Sequence, residues 1–435
     1  MKAYDQPAGD PFDIGFGPTL PDQEILATGL NSTQPYISAE QFEFERKLFG
    51  HLWLYVDRMD RIAKPGQWIV HDIDVCNSSV IIVNDRNEGL KAFHNFCPHR
   101  GMRLMWEKRG QGNLIVCPYH AWSFSTDGAL KAVPDEGSFD GLCKADNGLK
   151  PVHVDTWAGF IFINLDPQPR VSLRQYLGAI ADRLEGAPFD EFSCSATVTE
   201  VIPANWKLGN ESGTEGYHVP ALHSKSASFA LPSYNRFAHY HGWEPVGVHR
   251  VTSIPGNPDF EPSPTKPIQT FVFTHMPQMV AHTSGDKSEF AGKGFKDHPD
   301  LNVTNAPDWG GDQYSLFPGT AIAASYNGWW TNTFLPVTAD TCRWTASWHF
   351  RTPRSRRERF AMECSAAQNR DILTEDNFSI RGQHEGFKAG VIKQVRFGKA
   401  EMLLRHQAAV MKAIVEKGLD DDSISQPLPE QIAAE

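Results

Sequence analysis

The sequence predicts an α+β chain of two domains, the first all-β and the second an antiparallel sheet with long helices. Three observations carry this. Between residues 45 and 168, short segments rich in Val, Ile and Trp alternate with turn residues. Between 321 and 350, apolar and polar residues alternate, the period of strands with one covered face. From 351 to 383, and again from 401 to 417, the period changes to that of helices. A chain of 435 residues is long enough for two such domains.

Residues 1–44 read as an N-terminal arm, with little structure of its own over 1–40. QFEFERKLFG at 41–50 has apolar residues at 42, 44, 48 and 49 and reads as a short helix ended by Gly50. WIV at 68–70, VIIV at 80–83 and LKAFHNF at 90–96 read as strands, with NDRNEG at 84–89 as a turn. Two more strands in 148–165, turning at Trp157-Ala158-Gly159, close a first domain of residues 45–168. Asp166-Pro167-Gln168-Pro169 reads as the linker to a second domain, 169–435. There a helical stretch at 172–188 precedes a strand at 196–204. The segments 224–267 and 284–314 are long, polar and rich in Gly, Pro and Asp, as lids or binding loops are. Strand-like runs follow at 268–276 (IQTFVFTHM), 321–326, 329–337 and 342–350, then helices at 351–383, with Pro353 near the start, and 401–417.

The net charge of −11 argues against a nucleic-acid partner. No run of about 18 apolar residues predicts a membrane span, and the polar N-terminus lacks a signal-peptide core. These features predict a cytoplasmic protein. The seven cysteines are odd in number and scattered, which is not a disulfide framework. Cys76, Cys143, Cys194, Cys342 and Cys364 read as small buried hydrophobes.

The other two lie in the most specific signal of the chain. Cys97-Pro98-His99 and Cys117-Pro118-Tyr119-His120 form C-x-H…C-x-x-H. Two Cys and two His suit zinc, but zinc sites usually group Cys with Cys. Here each half supplies one thiolate and one imidazole, which suits a [2Fe-2S] cluster with Cys97 and Cys117 on one iron and His99 and His120 on the other. A second constellation is ESGTEGYHVPALH at 211–223, with Glu215, His218 and His223. Two imidazoles and a carboxylate suit ferrous iron with open positions. The two histidines are five apart, so one straight helix does not put them on one face. A helix that ends or kinks at Pro220 would turn them together.

CPHRG at 97–101 and CPYHAWSFSTDG at 117–128 resemble the Rieske domain of ring-hydroxylating oxygenase large (α) subunits. NWK at 205–207, Asn210-Glu211 and E-x-x-H-x4-H resemble their catalytic domain. The respiratory Rieske proteins carry a further Cys in each loop, and this chain does not. The resemblance implies a helix-grip (Bet v 1-like) catalytic domain, a Rieske cluster and a mononuclear Fe(II). It implies a third iron ligand from a Glu-Asp pair before a Gln, which Glu375-Asp376 and Gln383 match; Asp376 is the expected ligand, with Asp371 the rival. Glu215 falls where the family has an electron-transfer bridge, usually Asp. Glu211 stands where many ring dioxygenases have Asn.

As the resemblance implies, the chain is expected to be a terminal oxygenase. Electrons would come from NAD(P)H through a reductase or ferredoxin, and dioxygen would be used on a small organic substrate. Transfer between neighbouring chains implies a homotrimer or an α3β3 assembly with a small subunit. Aromatic residues in the second domain favour aromatic hydroxylation, with oxidative N- or O-dealkylation, quaternary amines included, as the alternative. A Rieske electron carrier with a binding domain is the non-enzymatic alternative. Alternation sends about half of the aromatics, among them Phe271, Phe273, Tyr326, Trp329, Trp330, Phe334, Trp344 and Trp348, to each face. One subset would line a substrate cavity or a cation-binding cage.

Overall fold

The computed structural model describes residues 30–227, 235, 240–257, 259–275, 295, 298–325, 328–398 and 401–419. The arm up to residue 29, Tyr326 and much of 224–239 and 276–297 lie outside the described residues. Glu43–Tyr176 forms one compact unit; among the described residues, those from Leu30 to Phe42 join those from Leu177 onward in the other.

The smaller unit is built of short antiparallel strands. Its four-stranded sheet has Ser78–Asp85 between Gln67–Ile73 and Gly89–His94, with Arg109–Gln111 on the far edge. Val80 to Val83 are fully buried, so this strand is covered on both faces and its sequence is a continuous apolar run. The turn after it is fixed by Asp85, whose Oδ1 accepts from the amides of Asn87 and Glu88 at 2.8 and 2.9 Å. A three-stranded sheet places Phe160–Asn164 between His153–Trp157 and Leu54–Arg58. Ala158 and Gly159 both have positive φ in the connecting turn, as a tight hairpin requires. A second three-stranded sheet, Leu114–Val116, Ser123–Ser125 and Leu130–Ala132, adds Ile115, Phe124 and Leu130 to the core that encloses Cys97 and Cys117.

The larger unit is a seven-stranded antiparallel sheet. Its order is Cys194–Ile202, Thr341–Phe350, Gly328–Thr338, Thr320–Ser325, Trp309–Leu316, His249–Pro255, Gly242–Val246. The helix Arg356–Lys388 lies against the first two of these strands and against the helix Trp206–Ser212. Ser355 caps the long helix by accepting from the Glu358 amide at 3.1 Å. Gly209 lets the shorter helix approach the sheet, since a Cβ there would meet the Phe334 ring at 2.2 Å. Among the described residues no helix is long and apolar enough to cross a membrane.

Several expectations are corrected. IQTFVFTH is the helix Pro267–His275, not a strand. Ile268, Phe271, Val272 and His275 also satisfy the helical period, Pro267 starts the helix, and Phe271 packs edge-on to Phe360 at 5.4 Å. The polar stretch 224–267 contains the hairpin Gly242–Val246 and His249–Pro255, and Trp309–Leu316 starts within 284–314. The helical stretch 172–188 is two helices, Leu173–Leu177 and Ile180–Arg183, parted by Gly178 at φ +56°. Of the five remaining cysteines only Cys342 is buried, and Cys143 is exposed. Residues 30–40 are structured: Leu30–Ser32 pairs with Gln394–Arg396, and the Thr33 hydroxyl donates to the Ile392 carbonyl at 2.9 Å. Tyr36 is buried against Phe387, with ring centroids 5.4 Å apart.

Candidate metal centres

In the smaller unit one loop geometry occurs twice. The Cys97 amide donates to the Met102 carbonyl and the Cys117 amide to the Trp122 carbonyl, each at 2.8 Å. Gly101 and Ala121 close the loops back to the Cys97 and Cys117 carbonyls at 2.9 and 3.0 Å. Both closing residues are left-handed, at φ +70° and +56°. Cys97 and Cys117 are each 2% exposed, and the His99 and His120 rings lie 4.8 Å apart. His99 stacks on Trp122 at 4.7 Å and meets the edge of Phe139 at 5.6 Å. Burial pushes the Cys97 thiol up to about 11, while the His99 and Arg100 amides at its sulfur act the other way and the adjacent Cys117 thiol adds to the rise. Burial also lowers the His99 imidazole. Two buried thiols, two imidazoles 4.8 Å apart and amides aimed at sulfur fit a cluster that takes thiolates on one side and imidazoles on the other.

The second constellation assembles in the larger unit. Asn205 caps the helix Trp206–Ser212 by accepting from the Lys207 amide at 3.1 Å, and the helix ends at Gly213. After a turn comes the short helix Val219–Leu222, with His218 and His223 at its two caps. Pro220 opens this helix in its first turn rather than ending or kinking a longer one. One turn of helix brings the rings to 5.1 Å, inclined at 76°.

Both Nε2 atoms converge on one oxygen. Asp376 Oδ1 lies 3.2 Å from His218 Nε2 and 3.1 Å from His223 Nε2. One donor atom of each of the three residues lies within 4.8 Å of the others, a spacing that can hold a metal ion. Each Nδ1 is held from behind by a different carboxylate. Glu215 accepts from His218, and Glu375 accepts from His223 at 2.7 Å. Glu215 also accepts from the backbone amides of Tyr217 and His218, and Ser226 donates to Glu375 at 2.6 Å. Burial alone would depress the His218 imidazole, but Asp376 and Glu215 hold it up at about 10; His223 is raised similarly by Asp376 and Glu375. Burial would raise Asp376, and the two imidazoles bring it below its ordinary value. A divalent cation would take the place of the protons that this cluster now shares. Asp371 takes no part: its side chain is 65% exposed and pairs with Arg370.

The triad lines a cavity of about 200 Å³. Tyr240, Trp330, Trp348 and the amides of Gln313, Asn332 and Asn369 line it. Trp330 and Trp348 are direct cross-strand partners, which puts them on one face of the sheet. Trp329 faces the other way, stacked on His349 at 3.5 Å, and Trp344 is buried with its Nε1 donating to Asn332 Oδ1 at 2.6 Å.

Residues 52–153 match the Rieske [2Fe-2S] domain, and residues 178–417, more than half of the chain, match the ring hydroxylating alpha subunit (catalytic domain). The chain belongs to this family. Two relatives of this ring-hydroxylating α subunit are oxygenase subunits named for amines. The carnitine monooxygenase oxygenase subunit of Acinetobacter baumannii is 31% identical over 43% of this chain and 51% of its own length. The glycine betaine monooxygenase oxygenase subunit of Pseudomonas aeruginosa is 31% identical over 49% of this chain and 50% of its own. The chain thus spans about half the length of the curated relatives it matches. The crystal structure of the quaternary ammonium Rieske monooxygenase CntA in complex with L-carnitine shares the fold at 20% identity, with a TM-score of 0.66 over 92% of this chain and 96% of the other.

Glu375 is the site residue that sequence reasoning missed. Its signal was present, because it adjoins Asp376, but nothing in the sequence pairs it with His223. The Tyr36 hydroxyl, which donates to Glu211 at 2.7 Å, had no sequence signal.

Proposed function

We propose that the protein is the terminal oxygenase of a Rieske system, with Cys97, His99, Cys117 and His120 holding the cluster and His218, His223 and Asp376 holding a mononuclear Fe(II). The observation that carries this is the convergence of both imidazole Nε2 atoms on Asp376 Oδ1 in the wall of a cavity of about 200 Å³. Bound there, the iron supplies dioxygen activation. The chain's own residues fix its geometry. Glu215 and Glu375 can only accept, so each Nδ1 keeps its hydrogen and each Nε2 presents its lone pair to the metal.

The substrate we infer is a small amine, a quaternary one included, cleaved oxidatively at a C–N bond. Similarity to the carnitine and glycine betaine oxygenase subunits supports this over aromatic hydroxylation. The cavity supports it too: it is lined by the aromatic residues Tyr240, Trp330 and Trp348, which suit a cation, beside neutral amides. The reaction balances as one dioxygen, two electrons and two protons, giving an N-α-hydroxylated amine and water; the hydroxylated amine then separates into a smaller amine and a carbonyl compound. Electrons come from a reductase, directly or through a ferredoxin, and Glu215 links the proposed iron site to the cluster of a neighbouring chain in a trimer.

The test is a product screen of the holoenzyme with a surrogate reductase, offering quaternary amines and aromatic acids side by side. Amine-dependent aldehyde release matched to reductant consumed is expected. Hydroxylated aromatic products without amine turnover would reverse the substrate assignment.

A further inference from the structure

The reaction proposed above consumes two protons per dioxygen. Among the described residues lining the substrate cavity, the carboxylates are Glu215 and Asp376, both engaged with the proposed iron ligands. A second cavity, of about 220 Å³, shares Ser212, Glu215 and His218 with the first. Its lining grades from exposed to buried. Gln383 and Arg396 are exposed, Ser379 and Glu401 are half-buried, and Tyr36 and Glu211 are buried. A cavity of this size and polarity has room for several waters.

Glu211 is 7% exposed, and its Oε1 accepts from the Tyr36 hydroxyl. Tyr36 is delivered by the segment that pairs with Gln394–Arg396, and Val395, Arg396 and Phe397 line the same cavity. Ser212, next to Glu211, lies in the wall common to both cavities. A neutral Gln at 211 would satisfy Tyr36 equally well without the cost of a buried acid.

We propose that the second cavity is the proton inlet of this oxygenase, with the Tyr36–Glu211 pair as the group that loads protons from solvent and passes them toward the substrate cavity. This rests on the oxygenase reading above. Glu211 gives its carboxyl proton to water in the inlet; the Ser212 hydroxyl, which donates to the Gly209 carbonyl at 2.9 Å, accepts a proton from that water as it turns to release its own into the substrate cavity. The Glu211 carboxylate is then reprotonated from the mouth at Gln383 and Arg396. No electron moves in the relay, and Tyr36 and Glu211 are positioning residues that touch neither substrate nor iron. Burial pushes Glu211 up to about 8; Tyr36, Lys207 and Arg250 oppose this, and Glu401 adds to it. Glu215 in turn faces Glu401. The proton-carrying form is therefore present at neutral pH and is lost as pH rises through about 8.

Glu211→Gln keeps the size and an oxygen for Tyr36 but carries no proton. In the holoenzyme, with cluster and iron loaded, single-turnover product formation should slow at least about tenfold. The cluster spectrum and iron content should be unchanged, and the solvent deuterium isotope effect on that step should rise. Tyr36→Phe removes a hydrogen bond that lowers Glu211, so the alkaline limb of the rate–pH profile should move to higher pH. Wild-type rates and an unmoved limb would overturn the inlet; so would iron loss in Glu211→Gln combined with an unmoved limb in Tyr36→Phe. A wild-type holoenzyme that consumes no dioxygen would sink the oxygenase reading and the inlet with it. An active wild type with two insensitive variants would sink the inlet alone.

Discussion

The two candidate metal centres reach a similar mixed donor set by different routes. From Cys97 to His120 the four proposed cluster donors come from two copies of one tight loop, each closed by the same pair of backbone hydrogen bonds. The proposed iron site takes His218 and His223 from the caps of a single helical turn and Asp376 from the middle of the distant long helix. The first depends on local backbone geometry, the second on the packing of a helix against a sheet. The electrostatics differ as well. Around the loops burial dominates, raising the Cys97 thiol and lowering the His99 imidazole. Around the triad, Glu215, Glu375 and Asp376 overcome burial and raise both imidazoles. Local loops can specify a site from short sequence alone; a site assembled through tertiary packing needs carboxylates from several elements to hold its histidines.

The comparison is broken most severely by removing a donor from either site. Cys117→Ser is expected to abolish the cluster's visible absorption, and His99→Cys to change it, while both proteins still bind one iron at the triad. An unchanged spectrum in both would sink the loop assignment. Asp376→Ala should do the reverse, losing the mononuclear iron and all turnover while keeping the cluster. Asp371→Ala, on the exposed face, should keep both. Iron analysis beside the absorption spectrum reads all four variants, and the opposite outcome for the two aspartates would move the third ligand by more than a helical turn.

A smaller effect separates Glu215 from the triad it supports. With iron at saturating concentration, Glu215→Ala should retain metal and cluster but slow cluster oxidation in a single turnover with substrate and dioxygen. Glu375→Ala, which also takes a carboxylate from an imidazole Nδ1, should not slow that transfer. Cluster oxidation at the wild-type rate in Glu215→Ala would remove the bridge from the proposal.

The same contrast explains what the sequence made legible. The cluster loops announce themselves, because Cys, Pro and His at fixed spacing in a turn leave few other roles. His218, His223 and Asp376 were reachable through the family pattern, and the structure brings all three together. Glu375 and Tyr36 were not reachable, because their partners come from elements far along the chain. The apolar residues of Pro267–His275 satisfy both the strand and the helix period, and packing on the long helix decides between them. Alternation alone parts Trp330 from Trp329, but that Trp348 shares the face of Trp330 is visible only from the strand register.

The finest test lies behind His223. Glu375 accepts from Nδ1 at 2.7 Å and from the Ser226 hydroxyl at 2.6 Å. A carboxylate cannot donate, so it fixes the tautomer whose Nε2 is free for metal. Removing such a partner typically costs about 10- to 100-fold in metal affinity, and Glu375→Ala should fall in that range. Glu375→Gln keeps an oxygen acceptor but loses the charge, and should fall near the lower limit. A pH series sharpens the result. In the metal-free protein both imidazoles are raised, so at neutral pH entering metal must displace protons, and apparent affinity rises with pH. Glu375 is one cause of the rise at His223. Its loss brings that imidazole down, so fewer protons compete and the dependence of affinity on pH becomes shallower. Titration of the metal-free protein with Fe(II) under anaerobic conditions, with proton release followed in weak buffer, reads both quantities. An affinity within twofold of wild type with an unchanged pH slope would show that Ser226 and the helix hold His223 without the carboxylate.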